Sequence, residues 1–261
     1  MSLTTIQTNA IKQTLKNALR KKMQNYNPET SSMPFHTRLL GKDRLALFSF
    51  IHSLNTNFGT SIFEPVALTL SKDKFKNSES QKIAGDIISE AAQFEIQKIM
   101  DNLTAANTKP GKEEEIEIIR KVCQKGEMRK VKPTKVDVFL ESKIEELYLF
   151  DIKTAKPNKG GFKEFKRTLL EWTAVVLAQN PKAKVNTLIA IPYNPYEPKP
   201  YSRWTMAGML DLENELKVAE EFWDFLGGNG TYQDLLKCFE EVGIELRNEI
   251  DEYFKKYNKK Q

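Results

Sequence analysis

The chain of 261 residues carries 40 lysines and arginines against 35 acidic residues, a mild net charge of +5. Hydrophobic residues make up 40% and charged residues 29% of it, which excludes a disordered chain and is typical of a globular protein with a substantial core. No apolar run reaches membrane-spanning length and the N-terminus lacks a hydrophobic signal region, so we expect no membrane association and a cytoplasmic location. Cys123 and Cys238 have no zinc-site spacing and predict ordinary thiols.

The first hundred residues show mainly helical periodicity. Apolar residues at helical spacing predict helices over 4–23 and 43–58, with an irregular segment between them over 33–41. Within that segment Arg38 is available to face phosphate. A further helix is predicted from Ser78 or Ser80 to about Leu103. Glu90 lies two turns from Ile83 on this helix, so it points along the buried stripe and either extends to the edge or joins a metal cluster.

The most informative stretch runs over 132–161. Residues 135–140 alternate polar and apolar, and 147–152 form a short apolar run, so both predict strands, with the charged residues 141–146 as a hairpin connection. If the strands pair antiparallel, Asp137 and Asp151 are near cross-strand neighbours. A period of two places Asp151 and Lys153 on the same face of the second strand. Two carboxylates and one ammonium group are therefore expected at one edge of a sheet.

This set of groups suits metal-dependent hydrolysis of a phosphodiester. Mg²⁺ prefers one or two carboxylates, several waters and the phosphate oxygens of its substrate. A bound metal lowers the pKa of a water molecule, and a neighbouring lysine can orient that water, deprotonate it or stabilise charge in the transition state. On spacing and strand context alone, a structural ion pair between Asp151 and Lys153 fits as well as a metal site does.

Basic residues are concentrated in two parts of the chain. Residues 1–50 carry eight Lys/Arg against two Asp/Glu. The segment 151–167 adds Lys153, Lys156, Lys159, Lys163, Lys166 and Arg167. Such patches suit contact with phosphates, and a solvated face is the alternative interpretation.

The second half of the chain alternates helices and strands. A helix is predicted over 162–178, a buried strand over 184–192, and helices over 213–226, 231–242 and 244–257. The strand–helix–strand order favours a right-handed crossover. The loop over 193–204 holds three prolines and several aromatic residues together with Lys199 and Arg203. It suits contact with a duplex or a partner subunit, and packing on the core fits it equally well.

Several of these stretches carry a family resemblance. Asp137, the fourteen-residue step to Asp151, and the triplet Asp151–Ile152–Lys153 resemble the PD-(D/E)XK nuclease superfamily, although Pro133 stands four residues before Asp137 instead of directly before it. Longer stretches resemble the TdeIII group of type II restriction endonucleases: MPFHTRLLG (33–41), FIHSLNTNFGTSIFEPVA (50–67), IAIPYNPYEPKPYSRW (189–204) and EEFWDFLGG (220–228).

The resemblance implies a fold, and the polar stretch over 107–115, with Pro110 and Gly111, predicts an internal boundary. The fold is an α/β restriction-endonuclease-like core, a central mixed sheet flanked by helices, with a helical N-terminal portion. That portion would cover residues 1–110 and serve DNA contact and dimerisation. The catalytic core would cover residues 111–261, either as a separate domain or continuous with the first.

The resemblance also implies an activity: Mg²⁺-dependent cleavage of double-stranded DNA at a short palindromic site, with GGNCC as the expected sequence. The enzyme would be a homodimer with a DNA methyltransferase as its genetic partner. Asp137, Asp151 and Ile152 are the expected metal ligands, and Asp137, Asp151, Lys153 and Glu90 the expected catalytic residues. The expected DNA contacts are Arg38, Lys135, Lys156, Lys159, Lys199 and Arg203. The alternatives are a nuclease of DNA repair with this fold and a non-catalytic DNA-binding protein that keeps the fold.

Overall fold

The computed structural model describes residues 3–30, 33–153, 161–202, 206 and 208–257. The chain divides into two compact units, one formed by Met1–Thr69 with Gly228–Gln261 and the other by Leu70–Gly227. No helix in the described ranges is long and apolar enough to cross a lipid bilayer.

The first unit is helical. Its N-terminal helices are α1 (Thr5–Asn25), α2 (Pro34–Leu40), α3 (Lys42–Phe58) and α4 (Glu64–Ser71, reaching into the second unit), with a π-helical turn (Gly59–Phe63) before α4. Helix α1 begins with a capping box, in which Thr4 Oγ1 accepts from the Gln7 N–H at 3.2 Å and Gln7 Oε1 accepts from the Thr4 N–H at 3.0 Å. The predicted helices over 4–23 and 43–58 are confirmed. The segment over 33–41, predicted to be irregular, contains α2, which has Pro34 in its first turn.

The second unit is built on a five-stranded mixed sheet. Its strands and helices in chain order are β1 (Asn77–Ile83), β2 (Ile87–Ser89), α5 (Glu90–Thr104), α6 (Lys112–Arg120), β3 (Met128–Lys130), β4 (Lys135–Glu141), β5 (Glu146–Ile152), α7 (Phe162–Gln179), β6 (Lys184–Ile191), β7 (Leu216–Val218) and α8 (Glu220–Gly227). The sheet order is β1-β4-β5-β6-β7, and β2 and β3 form a separate antiparallel pair. Strands β1, β4 and β5 pair antiparallel, whereas β5, β6 and β7 pair parallel.

Helix α7 connects the parallel strands β5 and β6 and covers the sheet. Its apolar stripe includes Leu169 and Leu177, which are fully buried, as are Phe150 of β5 and Ile189 of β6. The predicted hairpin over 135–152 and the predicted helix and strand that follow it are confirmed. The predicted fold class, a mixed sheet flanked by helices, is also confirmed.

Two elements were predicted wrongly. The helix expected from Ser78 or Ser80 starts only at Glu90, where Ser89 Oγ accepts from the Ala92 N–H at 3.1 Å. The residues before it form β1, because the edge of β4 offers backbone hydrogen bonds that outweigh a weak helical period. The helix expected over 213–226 is instead β7 followed by α8, since β7 pairs with β6.

The helices α9 (Thr231–Glu245) and α10 (Arg247–Lys255) return the chain to the first unit. Ile11 and Leu15 of α1 are buried, and Lys16 forms an ion pair with Glu245 at 2.6 Å. The observed division differs from the boundary predicted at residue 110. Strands β1 and β2 and helix α5 belong to the same unit as β4, because β1 pairs with it.

Candidate active site

The two aspartates of the predicted site are brought together at the end of the β4–β5 hairpin. The register pairs Val138 with Phe150, so one further step places Asp137 opposite Asp151. At this point a side chain replaces a backbone oxygen as the hydrogen-bond acceptor, because the Ile152 N–H donates to Asp137 Oδ2 at 2.8 Å. Asp137 is half-buried and Asp151 is 7% exposed. The antiparallel hairpin predicted from the sequence therefore gives the expected cross-strand neighbours.

Lys153 completes the cluster. Its Nζ lies 2.7 Å from Asp151 Oδ1 and 4.8 Å from the ring centroid of Phe165 in α7. The backbone N–H of Lys153 donates to the Ala190 carbonyl oxygen at 2.9 Å and so extends the pairing between β5 and β6. The Phe165 ring packs against Gly161, where an added Cβ would come within 2.9 Å of the ring. The ammonium group is thus held between a carboxylate and an aromatic face.

The electrostatics of Asp151 favour a nearby cation. Burial raises the pKa of Asp151 to about 6; the Lys153 ammonium opposes this rise, and the Asp137 carboxyl adds to it. A cation between the two carboxylates would relieve both the desolvation and their repulsion. Two converging carboxylates form a donor set that fits Mg²⁺, which takes its remaining ligands from water and phosphate. Among the residues that the structure describes, no group of three or more His, Cys, Asp or Glu gathers at a possible metal site.

A family model described as "Type II restriction endonuclease, HinfI" matches residues 3–243. The chain belongs to this family. It is 26% identical over 221 residues to the type II restriction enzyme HgiCII of Herpetosiphon aurantiacus, covering 83% of this chain and 80% of HgiCII. It is 27% identical over 223 residues to HgiEI of the same organism, covering 83% of this chain and 79% of HgiEI. It is 30% identical over 198 residues to MjaII of Methanocaldococcus jannaschii, which covers 70% of this chain and 51% of MjaII.

Membership of the HinfI family makes the protein a type II site-specific deoxyribonuclease that acts on DNA. The assignment to the type II restriction endonucleases, made from the TdeIII-like stretches, is confirmed. Enzymes of this class generally need a divalent metal, which agrees with the paired carboxylates of Asp137 and Asp151.

Glu90 does not belong to the cluster of Asp137, Asp151 and Lys153. It is the first residue of α5, its side chain is 52% exposed, and its Oε1 lies 2.8 Å from Arg129 Nη2. The expectation that Glu90 shares a buried helical stripe with Ile83 is wrong, because Ile83 belongs to β1. In the described ranges Glu90 does not join the aspartates in a group that could hold a metal.

The predicted DNA contacts fall in different parts of the chain. Arg38 is exposed on α2, Lys135 is exposed at the start of β4, and Lys199 is exposed in the loop after β6. The Lys199 N–H donates to the Tyr196 oxygen at 2.9 Å, so the loop is folded back at that point. Lys156, Lys159 and Arg203 lie outside the described residues.

Gln81 is a site neighbour that the sequence did not indicate. Its Nε2 donates to Asp137 Oδ1 at 3.2 Å from the edge strand β1. The helix predicted over β1 would carry Gln81 away from the hairpin, whereas the observed strand places it beside Asp137. The order of the chain alone offers no signal for it.

The prediction that Lys166 belongs to a surface patch of cations is wrong. It is fully buried on α7, with Nζ 2.8 and 2.7 Å from the two carboxylate oxygens of Glu215 and in contact with Glu115. Lys112 is also buried, and desolvation lowers its pKa to about 8. We call Lys112, Glu115, Lys166 and Glu215 the buried ionic cluster. It fixes the start of α6 and the first turns of α7 next to the segment that leads into β7.

Proposed function

We propose that this type II restriction endonuclease hydrolyses phosphodiester bonds of double-stranded DNA with Mg²⁺ held by Asp137 and Asp151. The observation that supports it best is the convergence of these carboxylates from adjacent antiparallel strands, with the Lys153 ammonium 2.7 Å from Asp151. A surface ion pair would not need a second carboxylate, nor would it require Asp151 to be buried.

Each residue of the cluster has a distinct task. The Ile152 N–H orients the Asp137 carboxylate by donating to Oδ2. We assign the third protein ligand of Mg²⁺ to Ile152, whose backbone carbonyl oxygen is its available acceptor. Mg²⁺, when bound, lowers the pKa of a water molecule and neutralises charge that develops on the phosphorus. Lys153 lies close enough to Asp151 to orient or deprotonate that water or to stabilise the transition state, and Phe165 limits where its Nζ can go.

The target and the assembly rest on the family. The TdeIII-like stretches suggest GGNCC as the recognition sequence, with a DNA methyltransferase as genetic partner. A palindromic site cut on both strands needs two related active sites, hence a homodimer. The exposed cations Arg38, Lys135 and Lys199 are the described candidates for phosphate or base contact.

Cleavage of a plasmid that carries GGNCC sites tests the proposal. Asp137→Ala, Asp151→Ala and Lys153→Ala should each lower the single-turnover rate with Mg²⁺ by about a hundredfold or more, several kcal/mol of transition-state stabilisation. Asp101→Ala and Lys98→Ala are controls from the same unit, because both side chains are exposed on α5. Cleavage at the wild-type rate by a folded Asp151→Ala variant would remove the site assignment.

The fragment pattern separates the remaining alternatives. A restriction enzyme gives discrete fragments with ends at one sequence, because each wrong base pair costs about 1–3 kcal/mol of discrimination. Random ends would indicate a general or repair nuclease of the same fold. DNA binding without cleavage in Mg²⁺ would indicate a non-catalytic binding protein.

Light scattering should give twice the chain mass of 30.1 kDa, and a monomer in the presence of cognate duplex and Ca²⁺ would contradict the homodimer.

A further inference from the structure

Three neighbouring strands each contribute a polar side chain to one row of the sheet. The β1–β4 register pairs the residues on both sides of Gln81 with the residues on both sides of Asp137. The β4–β5 register places Asp137 opposite Asp151 in the same way. Gln81 Nε2 donates to Asp137 Oδ1 at 3.2 Å, on the side of the carboxylate away from Ile152. The edge strand therefore reaches the site through one amide group.

The backbone at Gln81 is unusual for its residue type. Its φ is +55°, in the left-handed region that few residues other than glycine, asparagine and aspartate adopt. This conformation does not call for glutamine, because Asn or Gly would adopt it more readily. The contact that the longer side chain makes with Asp137 is what a shorter residue could not supply.

We propose that Gln81 is a positioning residue for Asp137, an inference that rests on the proposed binding of Mg²⁺ by that carboxylate. Both oxygens of Asp137 accept from neutral donors, Oδ1 from Gln81 and Oδ2 from the Ile152 N–H. Neutral donors fix the plane of a carboxylate but leave its negative charge available to a cation, whereas a lysine or arginine there would compete with the metal. Partners that orient metal ligands typically change metal affinity or activity by about 10–100-fold.

Two substitutions remove the contact but suit the backbone. Gln81→Asn and Gln81→Gly both tolerate a positive φ, and neither reaches Asp137 as the glutamine amide does. Ser80→Ala is the matched control, because Ser80 is the exposed neighbour on the same strand. Three quantities are measured for each variant and for the wild type. They are the affinity of the DNA-free protein for Mn²⁺ by electron paramagnetic resonance, the melting temperature of the metal-free protein, and the Mg²⁺ concentration that half-saturates cleavage.

We expect both Gln81 variants to bind Mn²⁺ at least about tenfold more weakly and to need correspondingly more Mg²⁺ for cleavage. Their metal-free melting temperatures should match or exceed that of the wild type, and Ser80→Ala should behave as the wild type throughout. A purely structural role would instead lower the melting temperature and leave the Mg²⁺ requirement unchanged.

The outcomes separate this inference from the proposed function. Wild-type affinity in Gln81→Asn and Gln81→Gly, together with loss of Mn²⁺ binding in Asp137→Ala, would overturn the role of Gln81 and keep the metal site. Mn²⁺ binding that Asp137→Ala leaves unchanged would overturn the metal site and the role of Gln81 together.

Discussion

Replacing Lys166 by methionine should be among the most destabilising single changes in the second unit. The side chain of Lys166 is 0% exposed, and its ammonium group is the direct partner of the carboxylates of Glu115 and Glu215. Methionine fills a similar volume but leaves two carboxylates buried without that partner. Breaking a buried ion pair by removing one partner typically costs about 3–5 kcal/mol. For a chain of this size that lowers the melting temperature by about 6–20 °C.

The cost should depend on pH and on the partners. Burial already raises the pKa of Glu115 with Lys166 in place, so removing the ammonium raises it further. A carboxyl whose pKa is raised in the folded state destabilises the protein increasingly as the pH rises from the unfolded-state pKa to the folded-state pKa, and the full cost persists above that. Lys166→Met should therefore lose more stability at pH 8 than at pH 5. The triple variant with Glu115→Gln and Glu215→Gln should recover most of the loss, because the amide oxygens keep accepting from the Gly111 and Asp211 N–H groups.

Urea unfolding of the metal-free protein measures these differences. Lys98→Met is the control, because Lys98 is 59% exposed and pairs with Glu95 only at 3.5 Å; it should cost less than about 1 kcal/mol. A single Lys166 variant that loses less than the control, or a triple variant no more stable than the single one, would refute the role given to the buried ionic cluster.

Further predictions concern three other side chains. Burial lowers the pKa of Lys112 from 10.5 to about 8, so its charged form costs about 3 kcal/mol below pH 8. Lys112→Met should therefore be about 1–2 kcal/mol more stable at pH 7, after the lost hydrogen bond to the Asn214 oxygen is subtracted. As the pH rises from 8 towards 10, the unfolded wild-type protein binds more protons than the folded one, so the wild type gains stability and the advantage of Lys112→Met should shrink. Urea unfolding at pH 8 and at pH 10 checks this. Glu90→Ala should cleave at the wild-type rate in the plasmid assay, since Glu90 is exposed and paired with Arg129. Phe165→Leu should slow single-turnover cleavage by about 2–30-fold, the range expected for losing a contact between an ammonium group and an aromatic face; an unchanged rate would show that Lys153 is held without it.

The sequence predicts those parts of the fold whose signals are local. The β4–β5 hairpin places Asp137, Asp151 and Lys153 within one stretch, so alternation and a short connection suffice to predict that they meet. Helix α7 and β6 are likewise long and continuous in pattern.

Elements defined by a distant partner are not predictable in this way. Strand β1 is polar through most of its length and exists because β4 pairs with it, and β7 has only three residues. The errors at Glu90 and Gln81 follow from missing β1. The burial of Lys166, in contrast, follows a local pattern: it stands four residues after Phe162 and three before Leu169, and both are buried on α7.

The first unit is assembled from the two ends of the chain, and this affects the order in which the molecule can form. Ion pairs such as Lys16–Glu245 and Arg20–Glu249 join residues 229 positions apart, whereas the second unit is a continuous stretch, Leu70–Gly227. During synthesis the sheet and both aspartates are complete before α9 and α10 exist, so α1 waits without its packing partner while the second unit can already fold. The second unit, which carries both aspartates, can therefore fold first, and the first unit completes its packing only after α9 and α10 have been made.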